Sequence, residues 1–120
     1  MNKIEIGVQS LKQMGVEMLA AWHAAEQGNP QPPREALYFS NMHSLLGVLT
    51  PARWKLLEVL KASGPLSVYA LAKQSERHYS NVHADVARLL ELGLIARDAE
   101  QRVFVPWDEI HADFALRAAA

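Results

Sequence analysis

Between Thr50 and Pro106 nearly every joint carries a stop or start signal, and this punctuation leaves few ways for the chain to fold. Thr50 offers a hydroxyl to cap a helix, and Pro51 fills its first position, where no amide donor is needed. Ser63-Gly64-Pro65 ends that helix, and Ser67 caps a second, shorter one. Residues Ser75 to His78 make a turn. A longer helix is expected from Tyr79 or Ser80 to Leu92, because Val82, Val86, Leu89 and Leu90 recur at helical spacing. Gly93 is free to take the positive φ that closes it. Leu94 to Arg97 and Arg102 to Val105 then flank the polar turn Asp98-Ala99-Glu100-Gln101, and Pro106 ends the ribbon. Helix, short helix, turn, longer helix and ribbon is the order of a helix-turn-helix followed by a wing.

The flanks read differently. Lys3 to Val8 alternates, with Ile4, Ile6 and Val8 on one side, as a strand does. Ser10 caps a helix reaching about Gln27, whose Leu11, Met14, Met18, Trp22 and Ala25 form one apolar stripe widened by Leu19. Gly28 to Pro33 contains three prolines and is a linker. Glu35 to Phe39 is extended. Asn41 to Leu49 is helical with Leu45, Leu46 and Leu49 inward, the next helix carries Trp54, Leu57, Val59 and Leu60, and Ala70, Leu71 and Ala72 are expected inside the short one. After Pro106, Trp107, Ile110 and Phe114 fit a helix, whereas Ile110, Ala112, Phe114 and Leu116 fit a strand. The strand reading is favoured because Ile4-Ile6-Val8 needs a pairing partner. The expected class is mainly α with a small β-ribbon: an N-terminal strand-helix arm over 1–40, a winged helix-turn-helix domain over 41–106, and a tail over 107–120. The stripe of Leu11, Met14, Met18, Leu19 and Trp22 either covers the domain core or packs on its twin in a homodimer. The linker favours the dimer.

Composition narrows the function. Half of the 120 residues are hydrophobic, enough for a core, and there is no cysteine for disulfides or thiolate metal sites. The N-terminus has no apolar leader, and Met14 to Ala25 is broken by Glu17 and His23, so neither a secretory signal nor a membrane span is expected and the protein reads as cytoplasmic. The net charge is −1, but residues 41–97 carry seven basic and four acidic side chains while 98–120 carry two and five. A local basic face suits a modest footprint on a polyanion. His78 and His83 are five apart, not the four that turns two ligands to one ion, so no metal or cofactor is expected. No nucleophile stands with a base, which argues against an enzyme. Asp85 has Arg88 as its i, i+3 cation.

The outer face of helix 79–92 holds Ser80, His83, Ala84, Ala87 and Arg88, with Arg77, His78, Tyr79 and Asn81 at its start. A polar helix face is commonly just solvated, and winged helices also dock proteins. The donor-rich types nevertheless fit double-stranded DNA. Tyr79, Ser80, Asn81 and His83 are expected near base edges, with His78 and Ala84 on the same surface, and Lys73, Arg77 and Arg88 at phosphates. The helix start at Ser67 can offer amides to a phosphate, and Arg102 sits where a wing would graze the backbone.

Three runs carry a resemblance to a known family: Leu56-Leu57 with Gly64-Pro65-Leu66-Ser67-Val68-Tyr69-Ala70-Leu71-Ala72; Asn81-Val82-His83-Ala84-Asp85-Val86-Ala87-Arg88-Leu89-Leu90-Glu91-Leu92-Gly93-Leu94-Ile95; and Val105-Pro106-Trp107-Asp108-Glu109-Ile110. With Ala21-Trp22 and Phe39-Ser40, they extend over nearly the whole chain. The chain resembles small prokaryotic winged helix-turn-helix predicted transcriptional regulators (MarR-like), which often form the antitoxin half of a toxin–antitoxin pair. The resemblance implies a DNA-binding repressor of its own operon, or an antitoxin that binds and neutralises a toxin protein.

Overall fold

Strand β1 (Lys3–Val8) is the middle of a three-stranded sheet in the order β2-β1-β5. The computed structural model describes residues 2–29 and 35–116. The prolines expected as a linker at 30–33 and the closing alanines lie outside the described residues. Both β2 (Glu35–Phe39) and β5 (Glu109–Ala112) run parallel to β1. The C-terminal stretch is therefore a strand over Glu109–Ala112, pairing with Ile4 and Ile6, the residues that needed a partner; Phe114 and Leu116, expected in the same strand, lie beyond its end. Ile4 and Ile6 are buried, while Lys3 and Glu5 on the opposite face are half-buried. A Cβ at Gly7 would stand 3.3 Å from the Tyr38 ring, a tight contact that the ring would have to yield to by a few tenths of an ångström.

Helix α1 (Leu11–Glu26) joins β1 towards β2. Ser10 accepts from the Gln13 amide while the Gln13 side chain accepts from the Ser10 amide, a reciprocal cap. No residue of this helix is buried. Helix α2 (Met42–Val48) buries Leu45, but Leu46 is 56% exposed, against the inward placement expected for it. One residue turns a helix by about 100°, so Leu45 and Leu49 share a side that Leu46 leaves.

The second unit holds α3 (Pro51–Ser63), α4 (Val68–Ser75), α5 (Tyr79–Glu91), β3 (Ala96–Arg97) and β4 (Val103–Phe104). Thr50 caps α3 through the Arg53 amide at 3.2 Å, with Pro51 in the first turn as the sequence requires. Leu56, Leu57 and Leu60 from α3, Leu71 and Ala72 from α4, Val82, Val86 and Leu89 from α5, and Leu94, Ile95 and Val103 after it form the core. Ala70 and Leu90, expected inside, are half-buried; of the apolar residues carried by α3, Trp54 is exposed and Val59 half-buried, whereas Leu56 and, in α4, Val68 are buried. The wing is pinned by Leu66, which exchanges backbone bonds of 3.0 and 2.8 Å with Val103, and by β3 pairing antiparallel with β4. The architecture is mainly helical, with a winged helix-turn-helix and an N-terminal strand-helix segment. One compact unit takes in the sheet, α1 and α2, and the other runs from Leu49 to Asp108.

Candidate nucleic-acid interface

Helix α5 is fixed at both ends by backbone chemistry. At its C-terminus Gly93, at φ 77°, donates to Leu90 and Leu94 donates to Leu89, a Schellman closure. At its start Glu76 adopts the left-handed conformation, and the Arg77 amide returns to the Ala72 carbonyl at 3.1 Å. His78 precedes the first turn of α5 without a side-chain cap. With Val82, Val86 and Leu89 in the core, the helix presents Tyr79, Ser80, Asn81, His83 and Ala84 to solvent. The Tyr79 and His83 rings lie 5.7 Å apart, tilted by 38°. An open groove of about 510 Å³ runs between α4 and α5, lined by Ala72, Lys73, Glu76, Arg77, His78 and Asn81.

The cations are less available than their sequence positions imply. Asp85 does not pair with Arg88. One of its oxygens accepts from Arg53 Nε at 3.0 Å and the other faces Arg77 Nη2 at 2.9 Å, so one carboxylate ties α3, the turn and α5 together. Arg77, expected at a phosphate, is thus held inward, and its Nη1 is buried without a hydrogen-bond partner. Arg88 pairs with Glu91 at 2.9 Å on the surface. Arg102 on the wing is bonded to Asp98 at 3.0 Å and also to Glu100. The Ser67 hydroxyl accepts from the Ala70 amide, which satisfies one donor of the helix start expected to face a phosphate. Lys73 alone among the expected phosphate ligands is exposed with no ion pair to a described residue. Arg97 on β3 is equally exposed and is a cation the site reading missed. The alternation of Ala96 and Arg97 along the strand was the available signal.

Acids shape the wing. Burial pushes the Asp98 carboxyl up, but the amides of Arg102 and Glu100 and then the Arg102 guanidinium outweigh it, holding the group below the ordinary carboxylate value. In the first unit, Leu11, Met14, Met18, Leu19 and Trp22 are 41–84% exposed, joined by Val16, which the spacing argument left out. Among the described residues no group of three or more His, Cys, Asp or Glu is placed to hold a metal ion, and no helix is long and apolar enough to cross a membrane.

A search of the curated proteins finds no match. The solved multiple antibiotic-resistance repressor (MarR) from Listeria monocytogenes 4b F2365 is similar over 78% of this chain, at 19% identity and a TM-score of 0.47. The chain spans 56% of that protein's length. The HVO_A0114 family model matches residues 48–112, from the end of α2 through the winged unit to β5. The chain belongs to the HVO_A0114 family.

Proposed function

We propose that this protein is a sequence-specific DNA-binding transcriptional regulator, a cytoplasmic homodimer that represses its own operon. The observation that carries the reading is the outer face of α5. Asn81, Ser80, Tyr79 and His83 stand together in solvent on a helix whose opposite face is locked in the core. Asn81 has the donor and acceptor pair that matches adenine in the major groove. Lys73, beside it in the groove, supplies a charge for a flanking phosphate. The resemblance to winged helix-turn-helix regulators points the same way.

A second reading rests on α1. A sixteen-residue helix with no buried residue and an apolar stripe calls for a protein partner. A second copy answers that need through Leu11, Met14, Met18, Leu19 and Trp22, and doubles the footprint on DNA. A toxin protein answers it as well, and the two are compatible. An electrophoretic shift with the DNA upstream of the protein's own gene tests the first reading. Retardation at low salt supports it, and a folded protein that leaves the DNA unshifted defeats it. Co-purification with the product of an adjacent gene that is toxic when expressed alone tests the second.

A further inference from the structure

We infer that β5 is a self-pairing edge: two copies of this chain join antiparallel through Ile110, Ala112 and Phe114 into one six-stranded sheet. The two-fold axis passes through Ala112. The inference deepens the dimeric reading above and names a contact that α1 does not supply.

The first support is the direction of the backbone groups. Among the described residues, strand β5 lies at the end of the sheet and has a neighbour on one side only. Asp113 donates its amide to the Ile6 carbonyl at 3.0 Å. Within β5 the register with β1 turns the backbone groups of His111 and the Asp113 amide towards β1 and those of Ile110 and Ala112 outward, an alternation that the proposed pairing carries on to Phe114; ahead of the strand Asp108 donates to the Asn2 carbonyl in the other phase. An antiparallel mate about Ala112 sets Ala112 opposite itself and Ile110 opposite Phe114 of the second copy. All are outward-facing residues, so each position is a hydrogen-bonded pair.

The second support is side-chain complementarity. Glu5 and His111 are partners in the register of β1 with β5 and so share a face of the sheet, and Asp113, two residues on, lines the same cavity as both. In the proposed register His111 stands opposite Asp113 of the second copy, twice in each dimer. On the other face Phe114, which is 47% exposed, meets Ile110. Competing registers fare worse. An axis at His111 sets Glu109 against Asp113 and histidine against histidine. An axis at Ile110 sets Phe114 against Pro106, which has no amide to donate. The other end of the sheet, β2, would bring Glu35 opposite Phe39 and offers no charge match. The chain also keeps its apolar alternation past Ala112, through Phe114 to Leu116, although pairing with β1 stops at Ala112. An exposed edge of this kind that carries no lysine or proline over 109–116 is a template for another strand.

The chain has no cysteine, so single cysteines report the register cleanly. In the full-length protein, Ala112→Cys lies on the axis with Cα atoms about 5.5 Å apart, within disulfide range. Ile110→Cys and Phe114→Cys each lie about 14 Å from their own copies. Under mild oxidation, Ala112→Cys is expected to become mostly covalent dimer, and the other two to remain uncrosslinked alone but to crosslink when mixed. Ala112→Pro removes only an outward amide and is expected to raise the dissociation constant of self-association at least tenfold, with the thermal unfolding of the monomer as the control for folding. The inference is overturned by a monomer at all concentrations, by a dimer in which Ala112→Cys stays reduced, or by Ile110→Cys crosslinking to itself. These measurements contain no DNA. Failure of the gel shift with crosslinking intact removes the regulatory reading and leaves the sheet edge standing, and the reverse result does the opposite.

Discussion

Removing the charge of Asp85 is the sharpest perturbation this structure offers. Its carboxylate, with 14% of the side chain exposed, is bonded to Arg53 and Arg77, whose side chains are 21% and 30% exposed. Asp85→Asn keeps the volume and removes the carboxylate that Arg77 and Arg53 share. Truncating one partner of a fully buried pair costs about 3–5 kcal/mol, while a solvent-exposed pair costs about 0–1 kcal/mol. Partial exposure on both arginines places this triad between the limits, at about 2 kcal/mol. For a unit of this size that is a fall in melting temperature of roughly 8–16 °C. Thermal and urea unfolding of Asp85→Asn measures it, and a double-mutant cycle with Arg77→Met isolates the coupling. Arg88→Ala is the internal control: its bond to Glu91 is exposed, so the change should stay within about 0.5 kcal/mol. If Asp85→Asn unfolds within about 0.5 kcal/mol of the parent, the carboxylate does not tie the three elements together and the argument fails.

Four further outcomes follow. Asn81→Ala should relax sequence preference in a binding-site selection, while Lys73→Ala should weaken all sequences alike; identical effects from both would contradict their assignment. With only Lys73 and Arg97 of the groove and wing cations outside ion pairs among the described residues, the slope of log K against log salt should be about −1.8 for each winged unit. A slope near about −4.5 would mean that Arg77, Arg88 and Arg102 exchange their acids for phosphates. Leu89→Ala, at a fully buried position, should cost about 2–5 kcal/mol, whereas Leu46→Ala should cost far less; comparable losses in urea unfolding would refute the placement of Leu46. The folded-state pKa of Asp98 is lowered, so its stabilisation of the wing is present above the unfolded carboxylate value and is lost as pH falls through the lowered one. The Glu100 and Arg102 amide resonances follow that step, and a transition at the ordinary value of about 3.9 would count against it.

The joints of the winged unit were legible because they are local. A hydroxyl before a proline, a glycine after a heptad of apolar spacing, and a polar turn between alternating residues each act within four or five positions. Thr50, Ser67 and Gly93 do what their types require. The phase of a helix was less legible wherever more apolar residues were present than the core can take. In α3, Trp54, Leu56, Leu57, Val59 and Leu60 are all candidates for the core, and the packed helix, which meets α4 and α5, buries Leu56, Leu57 and Leu60. Pairing of the terminal strands was anticipated from need alone: Ile4 and Ile6 had to be covered. Neither the parallel direction nor the central place of β1 has a local signature.

Charge at the candidate interface failed to be legible for a physical reason. A sequence gives the number of cations and their place on a helix, and both were right for α5. Which acid each one meets depends on distant parts of the chain. Arg53 lies thirty-two residues from Asp85, yet the fold brings them to 3.0 Å, and the i, i+3 neighbour Arg88 turns to Glu91 instead. An excess of basic residues along a segment therefore overstates the field that a polyanion would feel. Three of the four arginines and lysines assigned to phosphates already hold carboxylates, so one winged unit offers few charges to DNA. Two units on one axis double that number, and the binding energies add along a single duplex. In the proposed reading, self-association is therefore not an accessory to recognition but the step by which so weakly charged a surface would gather enough contacts to hold DNA.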